Sequence, residues 1–174
     1  MDCLRLVVPD ASLTDEINAY RKAMLDAGSS MDGCGSLCRH EADVWLIVND
    51  LMTREETCPE GWVPATQYAA VRVCDGHIVG MIQLRHRFND FLREYGGHIG
   101  YSVHPDERRK GYAHWMLSQV LPLARARGME RVLVTCDADN EASRRTILSC
   151  GGVFDRTAYE PGEQVTLERY WIKT

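Results

Sequence analysis

The chain has 174 residues, of which 45% are hydrophobic and 26% charged, and its formal net charge is −5. That length suits one domain with a sizeable core, and the acidic balance excludes a broad attraction to nucleic acid or anionic membrane. No apolar run is long enough to span a bilayer, so the expectation is a cytoplasmic protein in which any anion site is local.

The seven cysteines are scattered, and their number is odd. With no secretory signal ahead of them, they are expected as free, buried thiols rather than a disulfide framework. Cys34, Cys38 and His40 in "CGSLCRH" lack a second ligand pair at zinc-site spacing, so no metal is expected there.

In chain order, "CLRLVV" predicts a strand closed by Pro9 and Asp10. Ser12 or Thr14 then caps a helix whose apolar face is Ile17, Tyr20, Ala23, Met24 and Ala27, stopped at Gly28. "SSMDGCGSLCRH" reads as a loop, and a second helix is predicted from about Glu41 to Glu55. After the Pro/Gly connection "CPEGWVPAT", the run Gln67–Arg87 predicts a hairpin turning at Asp75-Gly76 through a tight type I′ turn. "FNDFLREYGG" is short and roughly helical, and "HIGYSVHP" is a strand halted by Pro105.

A long helix follows from Tyr112 to about Arg127, with Pro122 expected to kink it or loosen one turn. "ERVLVTCDA" is apolar enough for a strand covered on both faces. "DNEASRRTILSCGG" predicts a capped helix, and "VFDRTAYE" and "EQVTLERYWIK" a final strand pair joined at Pro161-Gly162. The order β-α-α-β-β-β-α-β-α-β-β describes one mixed α/β domain covering residues 1–174.

The chemistry concentrates in "SVHPDERRKGYAHWM". A helix start carries unpaired N–H groups and partial positive charge. Gly111 and Ala113 let a phosphate approach those amides, and Arg108, Arg109 and Lys110 add charge around it. The competing reading is an ordinary solvated helix start. Neither a Walker loop nor a GxGxxG fingerprint is present. A single basic cluster in an acidic chain does not make a nucleic-acid surface.

"VHPDERRKGYA" resembles the acyl-CoA signature of the GNAT superfamily of N-acetyltransferases, Gln/Arg-x-x-Gly-x-Gly/Ala, met here by Arg108, Gly111 and Ala113. The preceding strand, the following helix and "VLVTCDADNEASRRTILSCGG" come in the order that GNAT domains use. More narrowly, "EGWVPAT", "GGHIGYSVHPDERRKGYA" and "RYWI" are similar to a bacterial subgroup of predicted acetyltransferases. The resemblance implies a GNAT-like fold: a central, mostly antiparallel sheet flanked by helices, with a splayed strand pair holding acetyl-CoA.

By the same resemblance, Ser102 and Val103 pair with the pantetheine arm, and the loop Arg108, Arg109, Lys110, Gly111, Tyr112 and Ala113 holds the pyrophosphate. Asn140 and Ser143 touch the arm from the opposite side, with helix capping as their alternative role. The acceptor implied is a primary amine on a small molecule or peptide, and a homodimer is common in the family. A sensor that binds acyl-CoA without turnover is the second reading.

The usual Tyr acid of the family has Ile147 in its place here. Ser149 and Cys150 lie nearby in sequence, and Tyr159 or Tyr170 reach in from the last strands; none stands out as the acid, and Tyr159 is carried as a catalytic candidate. His98, which titrates near neutral pH, is the candidate base, with a structural hydrogen-bonding role as its alternative; Glu94 and His86 are weaker ones.

Overall fold

The computed structural model describes residues 3–174. Seven strands form one sheet: β1 (Leu4–Val7), β2 (Ala65–Arg72), β3 (Ile78–Arg85), β4 (Ile99–Val103), β5 (Arg131–Asp137), β6 (Val153–Glu160) and β7 (Val165–Lys173). Four helices cover it: α1 (Thr14–Asp26), α2 (Ala42–Leu51), α3 (Tyr112–Ala126) and α4 (Glu141–Ser149). The spatial order is β1-β2-β3-β4-β5-β7-β6. All neighbours are antiparallel except β4 and β5.

The sheet has apolar layers on both faces. Val79, Ile82, Leu84, Ile99, Val132 and Val134 meet α3 through Met116, Leu117 and Val120. Ala69, Val71, Ile78 and Met81 meet Ile17, Tyr20 and Met24 of α1 and Trp45 of α2. Central strand β3 is therefore buried on both sides, which is why "IVGMIQL" reads as a nearly continuous apolar run rather than an alternation.

Several local expectations change. The β2–β3 connection is a five-residue loop over 73–77 rather than a two-residue turn. Asp75 holds it open by taking the Arg72 guanidinium at 2.8 Å and the His77 N–H at 3.1 Å. Helix α2 stops at Leu51, short of Glu55, and residues 92–96 form a single π-helical turn. Helix α3 runs through Pro122 without a break. Cys34 and Cys136 are buried, but Cys3, Cys38 and Cys74 are exposed, so the thiols are free without all being core.

Candidate active site

Strand β4 has two different neighbours. Along β3 it pairs over its whole length, from Leu84↔Ile99 to Gly80↔Val103. Along β5 its register contains one pair, Ile99↔Val134, after which the strands part. The ladder fixes which groups face the gap. The His98 carbonyl accepts from Arg85 (2.8 Å) and the His104 N–H donates to Val79 (3.0 Å), so the even-numbered positions bond to β3. The backbone amides and carbonyls of Tyr101 and Val103 turn towards the gap instead. Ser102 turns its main chain to β3, and its hydroxyl meets Tyr20 (3.1 Å) and Cys34 (3.2 Å) on the α1–α2 side.

At the end of β4 the chain makes a concave turn. Arg109 and Gly111 both have positive φ, 63° and 83°, a geometry that points successive amides inward as an anion-binding nest. Gly111 begins α3, and no side chain caps that helix start. A Cβ on Gly111 would meet nothing within 4 Å, so the space beside that residue is open. The basic side chains divide. Arg108 donates to Ser29 at 2.8 Å, and Lys110 pairs with the buried Glu107 at 2.7 Å, which also takes Arg72 at 3.0 Å. Arg109 engages no partner among the described residues.

Across the gap, Asn140 caps α4 by accepting the Ser143 N–H at 3.0 Å. The Ser143 hydroxyl meets the Tyr101 phenol at 2.8 Å, and burial pushes that phenol's pKa up. Ile147, in the place of the family's tyrosine, is fully buried in the core.

The two catalytic candidates stand apart. His98 is buried with its ring against Phe88, 3.9 Å between centroids. Its backbone N–H donates to the Leu133 carbonyl at 2.7 Å, and its ring Nδ1 accepts the Leu133 N–H at 2.9 Å. Burial, helped by the charge of Arg85, lowers its pKa to about 4. The neutral ring therefore carries its proton on Nε2, and the lone pair a base would use is already engaged. Tyr159 is exposed on β6, its phenol without a partner among the described residues.

On the face of β4 shared by His98, Gly100 and Ser102, a cavity of about 440 Å³ opens between the α1–α2 loop, β3 and the residue 89–92 segment. Gly33 presses its backbone against Gly100; a Cβ there would come within 2.0 Å of the Gly100 oxygen, so only glycine fits. Asp32, Gln83, Arg85, Trp62 and Phe91 line the cavity.

On β5, Val132, Val134 and Cys136 face the α3–α4 core, so alternation places Leu133, Thr135 and Asp137 on the cavity's face. The Asp137 carboxyl is raised above its usual range by desolvation, then by the like charges of Asp32, Asp139 and Glu163. Sequence reading missed Asp32, Arg85, Tyr101 and Asp137. Only the alternation along β4 and β5 signalled any of them.

No three His, Cys, Asp or Glu side chains are grouped to hold a metal among the described residues. No helix among these residues is long and apolar enough to cross a membrane.

The model of the acetyltransferase (GNAT) family matches residues 38–151. The chain belongs to the GNAT family of acetyltransferases. No curated protein matches its sequence. Among solved structures, a ribosomal α-N-protein acetyltransferase in complex with coenzyme A superposes with a TM-score of 0.72 at 14% identity, covering 98% of this chain and 93% of that one. A ribosomal-protein-alanine acetyltransferase of Vibrio fischeri gives 0.69 at 15% identity, over 99% and 94%. A Salmonella typhimurium protein solved with its cofactor acetyl-CoA gives 0.60 at 17%, over 98% and 93%. At these identities the likeness shows that the fold is shared.

Proposed function

We propose that this GNAT protein is an N-acetyltransferase that moves the acetyl group of acetyl-CoA to a primary amine by direct attack in a ternary complex. The observation that carries this reading is the pairing of a free β4 edge with an uncapped, nest-shaped helix start immediately beyond it. The residues fit the cofactor. Tyr101 and Val103 offer amide and carbonyl groups to the pantetheine, completing the ladder that β5 leaves open. The amides from Arg109 to Ala113 receive the pyrophosphate, with Arg108 and Lys110 contributing charge. Ser143 and the Asn140 cap form the opposite wall.

Bound there, acetyl-CoA supplies an activated acyl carbon and a thiolate leaving group. With a thiol pKa of about 8.5 that group needs only modest acid assistance. Of the two gap-facing amides we assign the Val103 N–H to the oxyanion of the tetrahedral intermediate, which leaves the Tyr101 amide and the carbonyls for the pantetheine. As the amine nitrogen bonds to the acyl carbon and the C–S bond breaks, one amine proton must leave. Asp137 is our base: alternation along β5 puts it on the same face of the sheet as the cavity, and desolvation with the nearby charge of Asp32 raises its affinity for a proton. This assignment replaces His98, whose Nδ1 is occupied.

The alternative is an acyl-CoA sensor, favoured by the buried Ile147 at the usual acid position. Thiol release from acetyl-CoA against a panel of primary amines separates the two. Amine-dependent release supports the transferase. Acetyl-CoA binding without release on any amine supports the sensor, and failure to bind acetyl-CoA sinks both.

A further inference from the structure

Arg85 is an arginine without a carboxylate. Its Nη1 donates to the carbonyls of Gly96 (2.6 Å) and Gly97 (3.2 Å), which fixes the plane of the guanidinium. Its Nη2 lies 3.2 Å from where a Cβ on Gly100 would sit, over the middle of β4 where the strand leaves β5. No acceptor takes Nε or Nη2 among the described residues, and no carboxylate comes within ion-pair distance.

The contrast with its neighbours is direct. Arg72 holds Asp75 and Glu107, Arg144 holds Glu168, and Arg169 holds Asp155. An arginine drawn out of water without a counter-charge is costly unless a ligand completes it. Asp32 lines the same cavity, and its charge is the one that acts favourably on Arg85. It stays beyond ion-pair distance, its carboxylate taking the Ser30 hydroxyl instead. The cavity therefore presents a fixed guanidinium and a carboxylate as separate charges, with Trp62 and Phe91, 44% and 56% exposed, as apolar walls at its mouth.

We infer that the acceptor is an amino carboxylate of amino-acid size, its carboxylate held by the free edge of Arg85 and its amino group drawn towards Asp32. This rests on the transferase reading for the fate of the amine, but the anion site stands on Arg85 alone. A two-pronged guanidinium suits a carboxylate, and about 440 Å³ accommodates a free amino acid. Diamines and polyamines, lacking an anion, would leave Arg85 unpaired.

The test compares each common L-amino acid with its own carboxamide, which keeps the amine and removes the negative charge. Two readings are taken on the purified protein: the rise in unfolding midpoint without acetyl-CoA, and thiol release with it. For the best pair, the acid is expected to raise the midpoint more than its amide and to react with roughly 10- to 100-fold higher kcat/KM. In Arg85→Gln that ratio falls to near one, and Arg85→Lys restores part of it.

Acids and amides that bind and react equally in every pair overturn the inference while leaving the transferase standing. Acid-specific, Arg85-dependent shifts without thiol release on any amine keep the anion site and remove the transferase. The wild-type comparison decides the matter even if neither variant folds.

Discussion

The phenol of Tyr101 on β4 meets the Ser143 hydroxyl on α4 at 2.8 Å, across the gap that opens beyond Ile99↔Val134. It is a side-chain link where the main chains have parted. Burial raises the phenol's pKa, so it acts as a neutral hydrogen-bonding group and not as a ready proton donor.

Tyr101→Phe should therefore leave the fold intact and loosen the wall that orients the pantetheine. Losing one largely buried hydrogen bond costs about 1 kcal/mol, read as a severalfold rise in the KM for acetyl-CoA. An unchanged KM with a collapsed kcat would instead make Tyr101 an acid.

Gly111 bears on the cofactor without touching the acceptor. Its φ of 83° strains any L side chain, so a branched residue there would disturb the turn that aims the amides. Gly111→Val should abolish acetyl-CoA binding by calorimetry while far-UV circular dichroism stays native. Full affinity in the variant would show that the phosphates lie elsewhere.

The legibility of these residues in the sequence divides along contact range. "VHPDERRKGYA" was readable because Pro105, Gly111 and the start of α3 act through their own backbone. The start and stop of α1, the apolar run of β3 and the cap of α4 are local in the same way. Arg85 was not readable, because its partners are carbonyls beyond the next turn and an absent carboxylate, and neither leaves a spacing. His98 misled for a related reason. The positive φ of Gly97 precedes it, and its N–H bonds to β5 while its carbonyl bonds to β3. Strand parity is set by a ladder whose register no short motif reveals, and here it turns the main chain of Ser102 to β3 and that of Tyr101 to the gap.

His98 makes two opposed predictions, one of stability and one of rate. Its folded pKa, about 4, lies below the unfolded imidazole value, so the unfolded chain binds the extra proton first. Its contribution is fully present above about pH 6.5 and is lost as pH falls towards 4. His98→Gln should lose stability at pH 7 by roughly 1–3 kcal/mol, because the Leu133 N–H loses its partner. The midpoint of the variant should then depend less on pH between 4 and 6.5. The pH–rate profile should keep its shape; loss of its ascending limb would restore His98 as the base.

Asp137 carries the opposite expectation. Its carboxyl is raised by desolvation and then by Asp32, Asp139 and Glu163, so the folded state holds its proton to higher pH than the unfolded chain does. Stability from this group therefore falls as pH rises through the raised pKa, while its competence as a base appears over that same rise. Asp137→Asn should be no less stable than wild type near neutral pH, since a repelled charge is removed. It should nevertheless lose about 10²- to 10⁴-fold in kcat, the usual worth of a positioned base. Raising the pH should recover part of that loss, because more of the amine is then neutral without help. If kcat stays within a few-fold of wild type at pH 6, water alone takes the proton, and the acidic face of the cavity serves binding only.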